Sequence, residues 1–513
     1  MSDAALPPVN EQRSAQGDTR LAAVNAVKLF GSLMVTWGIA LGVRLMLPRY
    51  LGPQGFGAMN FADAFVSTLF ILTSFGIDTY IRKEVSVRYS HASEFFGGVT
   101  ALRLLVGLVL FGATQAFLVL AQRPPETWAL VHLFAVSALL ATISQSLASL
   151  LHARGTVNEL SVLNIVAKVV WGVGTVLVVV LRLPLWTLGL PWVASESLKL
   201  VVSAGLARKH LALRWVIDVK NTRLALVGSL PMFVNLAAHT IYSKLDVSIL
   251  ALVAGEEEVG WYGAASLIAG LALMVTPMIG WVLMPLFARA RARSDEEYTL
   301  VMRRSLELVL AIAFPTSLFM ALGAKEWVVL LYGAAYAPAA TSLKVLSSIF
   351  VLTYVAILSA NALILTGRAW AQAFISIGGL VANPLFNWLF IGPSMRWFGE
   401  GGAGIGAAIS QLGTEVVVTI AMTALVGRRA FDRRSVSVIA RTLVVCAVVW
   451  ALDFWLLERV HPALRLSADA AVYVLLVVGT GAVKIRELLA FVRSARATQT
   501  VPDAPLNVSP VVP

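Results

Sequence analysis

The chain has 513 residues, 58% hydrophobic and 13% charged, with a mean hydropathy of +0.81, a net charge of +12 and a pI near 10.0. Soluble domains carry roughly 25% charged residues, so this composition excludes a soluble enzyme and describes an integral membrane protein. A basic excess marks either a nucleic-acid binder or positively charged cytoplasmic loops, and the distribution of the charges decides between them.

Residues 1–24 read as a disordered cytoplasmic tail, polar and mixed in charge, without the apolar core and cleavage site of a signal peptide. Fourteen apolar runs follow, at 27–47, 57–80, 98–121, 127–151, 160–181, 185–206, 224–252, 259–287, 304–324, 340–365, 370–391, 402–426, 437–458 and 468–485. Each approaches the length of about 20 residues that a helix needs to cross the hydrocarbon core. The runs are continuously apolar rather than alternating, which calls for helices and not a barrel. Residues 491–513 read as a second disordered cytoplasmic tail, and the lone Cys446 leaves no intramolecular disulfide.

The basic residues test this count. Even-numbered connections hold Arg82, Lys83 and Arg88, then Arg154, then five between Arg208 and Arg223, then five between Arg289 and Arg304. Arg368 follows, then Arg428, Arg429, Arg433 and Arg434, and the C-terminal tail adds Lys484, Arg486, Arg493 and Arg496. Odd-numbered connections hold mostly single charges, namely Arg49, Arg123, Arg182, Lys325, Arg396 and the pair Arg459 and Arg465, and one of them, GEEEVG from Gly255, is acidic. Under the positive-inside rule this alternation places both termini in the cytoplasm and explains the net charge without nucleic acid.

A shift of 203 residues lays LGPQGFGAMNFADA from Leu51 onto AGEEEVGWYGAASL from Ala254, so that Gly52 meets Gly255, Gly57 meets Gly260 and Ala62 meets Ala265. A weaker match sets LLHARGTVNELSVLN from Leu150 beside ILTGRAWAQAFIS from Ile364. Both matches run in the same sense through the membrane, as expected of a parallel repeat. The expected architecture is therefore all-α: an N-terminal bundle over 25–210, a pseudo-symmetric second bundle of six helices over 211–430, and two extra helices over 431–490.

The turn LPRYLGPQGFGAMNFA, the segment SLPMFVNLAAHTIYSKLDVSIL followed by EEVGWYGAAS, then WVVLLYGAAYAPAATSLKVLS and GAGIGAAISQLGTE resemble the polysaccharide-biosynthesis flippases of the MATE-like multidrug/oligosaccharidyl-lipid/polysaccharide exporter superfamily. The likeness runs in order over residues 25 to 430. It implies export, across the bacterial inner membrane, of a sugar chain carried on undecaprenyl diphosphate, by two bundles that enclose a central cavity opening alternately to each side. The partners implied are that lipid-linked glycan, the bilayer, and polysaccharide polymerase and export machinery.

Ionisable side chains inside spans cost about 2.5 to 3.5 kcal/mol each at a helix centre and face a cavity or a partner. Arg44 and Lys199 can snorkel to an interface, Glu196 and Lys199 can pair at i, i+3, and Asp78 and Arg82 can pair at i, i+4. Lys168 has no acidic residue within a turn, and Lys244, two positions from Asp246, points away from it. Ammonium groups so placed need an anion or water, and a diphosphate supplies the anion. Arg44, Arg49, Lys168, Lys244 and Lys344 are the expected substrate-binding residues. Asp63, Asp246 and Glu415 are expected either to carry a proton or sodium ion that drives the cycle or to form static salt bridges. Trp171, Trp192, Trp261, Tyr262, Trp281 and Trp388 read mainly as packing or interface residues.

No catalytic constellation emerges. His132, His152, His210 and His239 lack ligand spacing, and no Walker A motif or other cofactor signature is present. GGAGIGAA opens a membrane helix rather than a βα turn, where small residues permit close packing. Two alternatives stay open: an ion-coupled small-molecule or drug antiporter of the same fold, and an integral-membrane polymerase or glycosyltransferase. The first calls for a net acidic cavity and the second for a long external loop. The longest external connection here, Lys325 to Ala339, is short and apolar.

Overall fold

The computed structural model describes residues 11–481 apart from 79, 82–91, 123, 155, 212, 214, 274–282, 284–285, 288, 428–431 and 458–459. Among the described residues every regular element is helical. In chain order these are α1 (Glu11–Phe70), α2 (Ala92–Leu120), α3 (Pro125–Ala153), α4 (Val157–Val180), α5 (Gly189–His210), α6 (Val219–Val253) and α7 (Glu256–Leu273). Then follow α8 (Asp295–Leu322), α9 (Ala324–Tyr332), α10 (Ala339–Leu365), α11 (Ala369–Phe398), α12 (Gly402–Val426), α13 (Arg433–Leu452) and α14 (Pro462–Gly479).

Eleven stretches among the described residues are long and apolar enough to cross a membrane. The first of them, Met34–Ser74, contains two of the expected spans, because α1 breaks at Gly52, whose φ of 68° and ψ of 172° are non-helical. The residue before a proline is pushed out of the α region, and only glycine takes this positive φ without strain. The charged α5 and α7, with three glutamates in its first turn, match two further expected spans. The eighth expected span, 259–287, lies partly outside the described residues. Helix α1 is already helical from Glu11, within the stretch expected to be a polar tail. The connection expected to lie on the surface contains α9, which buries Ala324, Val328 and Tyr332.

The chain divides into two compact units, Met1–Gly263 and Ala264–Pro513. The division falls within α7 rather than at the expected 210/211 boundary, because α6 is tied to the helices before it. Ser229 Oγ donates to the Phe75 carbonyl at 3.1 Å, and Lys244 reaches Asp63 at 3.0 Å.

Within the first unit, α1 ends in a 3-10 turn, Ile71–Ser74, followed by Phe75 and Gly76 at positive φ. A break of this kind leaves backbone carbonyls without helical partners, and in an apolar surrounding they must find others. Arg103, 1% exposed, supplies one: its guanidinium donates to the Ser74 carbonyl at 2.8 Å, to Ser146 Oγ at 2.8 Å and to Asp78 at 3.0 Å. Ser149 Oγ donates to the same carboxylate at 2.7 Å. The expected Asp78–Arg82 pair involves a residue outside those described, and Asp78 pairs across the bundle with Arg103.

The second unit closes α12 onto α11 through Gly402 and Gly406. A Cβ on either glycine would lie 2.6 Å from α11 backbone, so the GGAGIGAA run serves helix packing. Asp432 caps α13 by accepting from the Ser435 backbone N–H at 2.7 Å, a bond that holds its carboxyl below the usual carboxylate range. Arg465 ties α14 down, binding Glu326 at 2.9 Å, the Leu322 carbonyl at 3.0 Å and Asp453 at 3.3 Å. An apolar cluster of Leu318, Leu322, Val445, Val449, Tyr473 and Val477 lies between α8, α13 and α14.

The tightest approach in the first unit joins the two starts that the repeat superposes. A Cβ on Gly57 would sit 1.7 Å from the Glu256 carbonyl oxygen, and one on Gly260 would sit 1.9 Å from the Pro53 carbonyl oxygen. The contact is reciprocal, residue i of each copy facing residue i−4 of the other. Gly57→Ala and Gly260→Ala are each expected to destabilise the detergent-solubilised protein by about 1–3 kcal/mol through overpacking. Gly378→Ala, where nothing lies within 4 Å, is expected to be neutral or to stabilise by about 0.5–1 kcal/mol. Thermal unfolding of the three variants checks this.

Candidate functional site

The charges inside the first unit converge from four helices. Arg44 and Asp63 lie on the two arms of α1, Lys168 on α4, Glu196 and Lys199 on α5, and Lys244 on α6. Lys244 Nζ donates to Asp63 Oδ2 at 3.0 Å, and Arg44 and Lys168 are near enough to act electrostatically on the same carboxylate. Lys168 likewise feels Arg44, Lys199 and Glu196. Lys199 binds Glu196 at 2.7 Å, the i, i+3 pair expected from the sequence. Four cations against two carboxylates leave this group with a net charge of +2.

Neither lysine is as isolated as its own helix suggests. Lys244 lacks a carboxylate on its helix face but has Asp63 across the bundle. Lys168 sits over indole rings, its Nζ 3.7 Å from the Trp171 centroid and 5.5 Å from that of Trp192. The two rings meet edge-on at 5.3 Å and 64°, and Phe134 braces Trp192 at 5.7 Å. An indole face attracts a cation through its quadrupole while leaving the ammonium's own hydrogen-bond donors unspent. Trp171 is 2% exposed, and its Nε1–H has no acceptor among the described residues. The group thus presents Lys168 and one buried indole N–H, both ready for an anionic or hydroxylated ligand.

The other expected residues fall elsewhere. Arg49 lines a separate cleft at the Gly52 end of the first unit. Asp246, fully buried, accepts from the Tyr262 hydroxyl at 3.2 Å. In the second unit Glu415, 4% exposed, accepts from Thr353 Oγ1 at 2.8 Å. Lys344 lines an apolar groove of about 1020 Å³ between α8, α10, α12 and α13, whose walls include Phe314, Leu352, Ile420 and Leu443. Of the aromatic residues, Trp171 and Trp192 belong to the cation group, whereas Trp388 is 79% exposed on α11. Trp281 lies outside the described residues.

Pairing between Lys244 and Asp63 has a measurable consequence. Asp63→Asn leaves an ammonium without its counter-ion, and both side chains are partly exposed, so the expected cost is modest, about 0.5–2 kcal/mol. Adding Lys244→Gln is expected to recover most of that loss. A double-mutant cycle by thermal unfolding in detergent reads the coupling, and strictly additive effects would dissolve the pair.

Residues 23–291 match the family described as "Polysaccharide biosynthesis protein". No curated protein matches the chain. Among solved structures, the lipid II flippase MurJ in an inward closed conformation is similar with a TM-score of 0.65 at 12% identity, over 88% of this chain and 98% of the other. An inward-facing multidrug resistance MATE family transporter of the MOP superfamily gives 0.58 at 14% identity, over 79% and 98%. The Vibrio cholerae MATE transporter VcmN, in its bent form, gives 0.51 at 16% identity, over 80% and 100%. These likenesses concern the fold.

Proposed function

Because the chain belongs to the polysaccharide biosynthesis protein family, we propose that it is a flippase moving undecaprenyl-diphosphate-linked oligosaccharide across the bacterial inner membrane, with both termini cytoplasmic, in a pathway shared with polysaccharide polymerase and export machinery. The observation that carries this reading is the net-positive group inside the spans of the first unit. Arg44, Lys168 and Lys244 offer charge to a diphosphate, and a low-dielectric setting strengthens that attraction. The Trp171 N–H and the paired indoles suit the first sugar, since aromatic faces and N–H donors recognise sugar rings and hydroxyls.

A lipid-linked substrate also needs an apolar berth. The groove of about 1020 Å³ in the second unit is an apolar trough of the kind that suits a polyprenyl chain, at about 0.8 kcal/mol per buried methylene. Lys344 on its wall is proposed as a further substrate contact. An organic-cation antiporter is disfavoured on the same ground, because a net-positive group repels its cargo.

Coupling to H+ or Na+ remains part of the proposal. Asp63 is held by an ammonium, whereas Asp246 and Glu415 each accept from a neutral hydroxyl. Glu415 is the better carrier, since a carboxylate facing a hydroxyl can take up a proton without breaking an ion pair.

A deletion strain is expected to lose surface polysaccharide and to accumulate lipid-linked repeat units on the cytoplasmic face. Complementation by Lys168→Gln or Lys244→Gln, at normal protein level, is expected to restore no more than about a tenth of export, corresponding to about 1.4 kcal/mol. Full export by both variants would remove the cation group from the mechanism, and repeat units gathered outside would instead indicate a polymerase. In vesicles, Asp246→Asn or Glu415→Gln is expected to abolish the response of transport to an imposed proton or sodium gradient. Transport by the wild type that is indifferent to both gradients would end the coupling proposal.

A further inference from the structure

The connections at the Gly52 end of the first unit frame a cleft of about 770 Å³, separate from the cation group within the spans. Arg49, Tyr50 and Gln54 come from the break in α1, Glu126 from the first turn of α3, Arg182 from the connection after α4, and Glu256 from the start of α7. The volume lies in the range of about 300–1,000 Å³ usual for ligand pockets.

Its charges are held apart. Among the described residues neither the Arg49 nor the Arg182 side chain makes an ion pair or hydrogen bond, although Glu126 and Glu256 line the same cleft. Glu256 is engaged by a neutral group, Thr127 Oγ1, at 3.0 Å. Arg182 has a φ of 51°, and Gln122, just before α3, has a φ of 45°. Non-glycine residues in this region carry strain of order 1–3 kcal/mol, which persists where the surroundings impose it. The strained backbone at Arg182 presents its guanidinium to the cleft from a fixed turn.

Two guanidinium forks match carboxylates in planar, bidentate fashion. A simple phosphate would meet those forks but offer few donors to the acceptor oxygens of Glu126 and Glu256. A ligand satisfying both kinds of wall carries an acid group and several hydroxyl donors. Tyr50, 64% exposed at the cleft, offers a ring face with a polar tip.

We propose that this cleft is a saccharide site for acidic sugar residues of the transported chain: Arg49 and Arg182 hold a sugar carboxylate, Glu126, Glu256 and Gln54 accept or share hydroxyl hydrogens, and Tyr50 stacks on a ring. The proposal rests on the reading that the cargo carries a glycan, and it assigns that glycan a second foothold away from the diphosphate group.

The test uses the purified full-length chain in lipid nanodiscs, with trigalacturonate, maltotriose and inorganic phosphate as probes in titration calorimetry. Trigalacturonate is expected to bind at least tenfold more tightly than maltotriose and to resist displacement by equimolar phosphate. Arg49→Gln with Arg182→Gln is expected to weaken it at least tenfold, while Arg396→Gln, on α11 of the second unit, leaves it unchanged. Circular dichroism and size exclusion establish that the double variant is folded. If it has not folded, Glu126→Gln takes its place and is expected to lower the preference for trigalacturonate over phosphate at least threefold. Absence of trigalacturonate binding, equal binding of phosphate, or indifference to these substitutions overturns the site. Because binding is read without export, a failure here leaves the flippase reading intact. A deletion strain that accumulates no lipid-linked units undermines that reading without touching the binding result.

Discussion

Two glycines set the closest approach of backbone to backbone in the first unit. Gly57 and Gly260 lie so near the Glu256 and Pro53 carbonyls that a single methyl has no room. In a bilayer, helices gain little by burying apolar surface from lipid, so association depends on close packing and on polar groups meeting. This crossing supplies the first and arranges the second. Once the start of α7 is fixed against α1, Glu256 lies within reach of Thr127, and Asp246 on α6 lies within reach of Tyr262 on α7. The same unit holds Lys244 against Asp63, about one and a half turns beyond Gly57. Replacement of either glycine therefore disturbs charges that it never touches.

The buried cations are tolerated for reasons that differ residue by residue. Arg103 is spent at both terminal nitrogens: a carboxylate, a hydroxyl and a broken helix's carbonyl accept from them, and the residue is a staple. Lys244 is half spent on Asp63. Lys168 is stabilised by ring quadrupoles, which moderate the cost of its charge while satisfying none of its three donors. A cation that has partners but keeps free donors can bind a ligand without first breaking a salt bridge, and for that reason Lys168 ranks above Lys244 and far above Arg103 as a ligand-binding group.

Much of the fold was legible in the sequence because a membrane imposes its own grammar. Apolar runs had to be helices, and basic residues had to alternate by loop. The register of the repeat proved legible in finer detail: the alignment that pairs Gly57 with Gly260 also pairs the two residues that meet. The partners of the charges were harder to read. Asp63 lies 181 positions from Lys244, beyond any local spacing rule. Asp78 had a plausible partner four residues away, and its described partner is Arg103 on another helix. Trp171, by contrast, sits at i+3 from Lys168, so that pairing was readable, but an aromatic in a membrane helix serves packing often enough to mask a cation site. Arg182 counted only as one external charge, since nothing in a linear reading gathers four connections into one cleft.

The two units differ in what they expose. The first unit keeps its glycine crossing, its intramembrane cations and a polar cleft. In the second, the charged residue on the groove between α8, α10, α12 and α13 is Lys344, and the rest of that wall is mainly apolar or hydroxylic. On the proposed function, an amphiphilic cargo accounts for this difference. A headgroup and a polyprenyl chain have opposite solvation demands, and no single surface meets both without burying an unpaired charge or wetting an apolar wall. Separate surfaces remove the conflict, because each can be tuned to one end of the cargo without penalising the other. On the proposed function, then, polar and apolar demands are met on different surfaces, while the glycines stay where the backbone requires them.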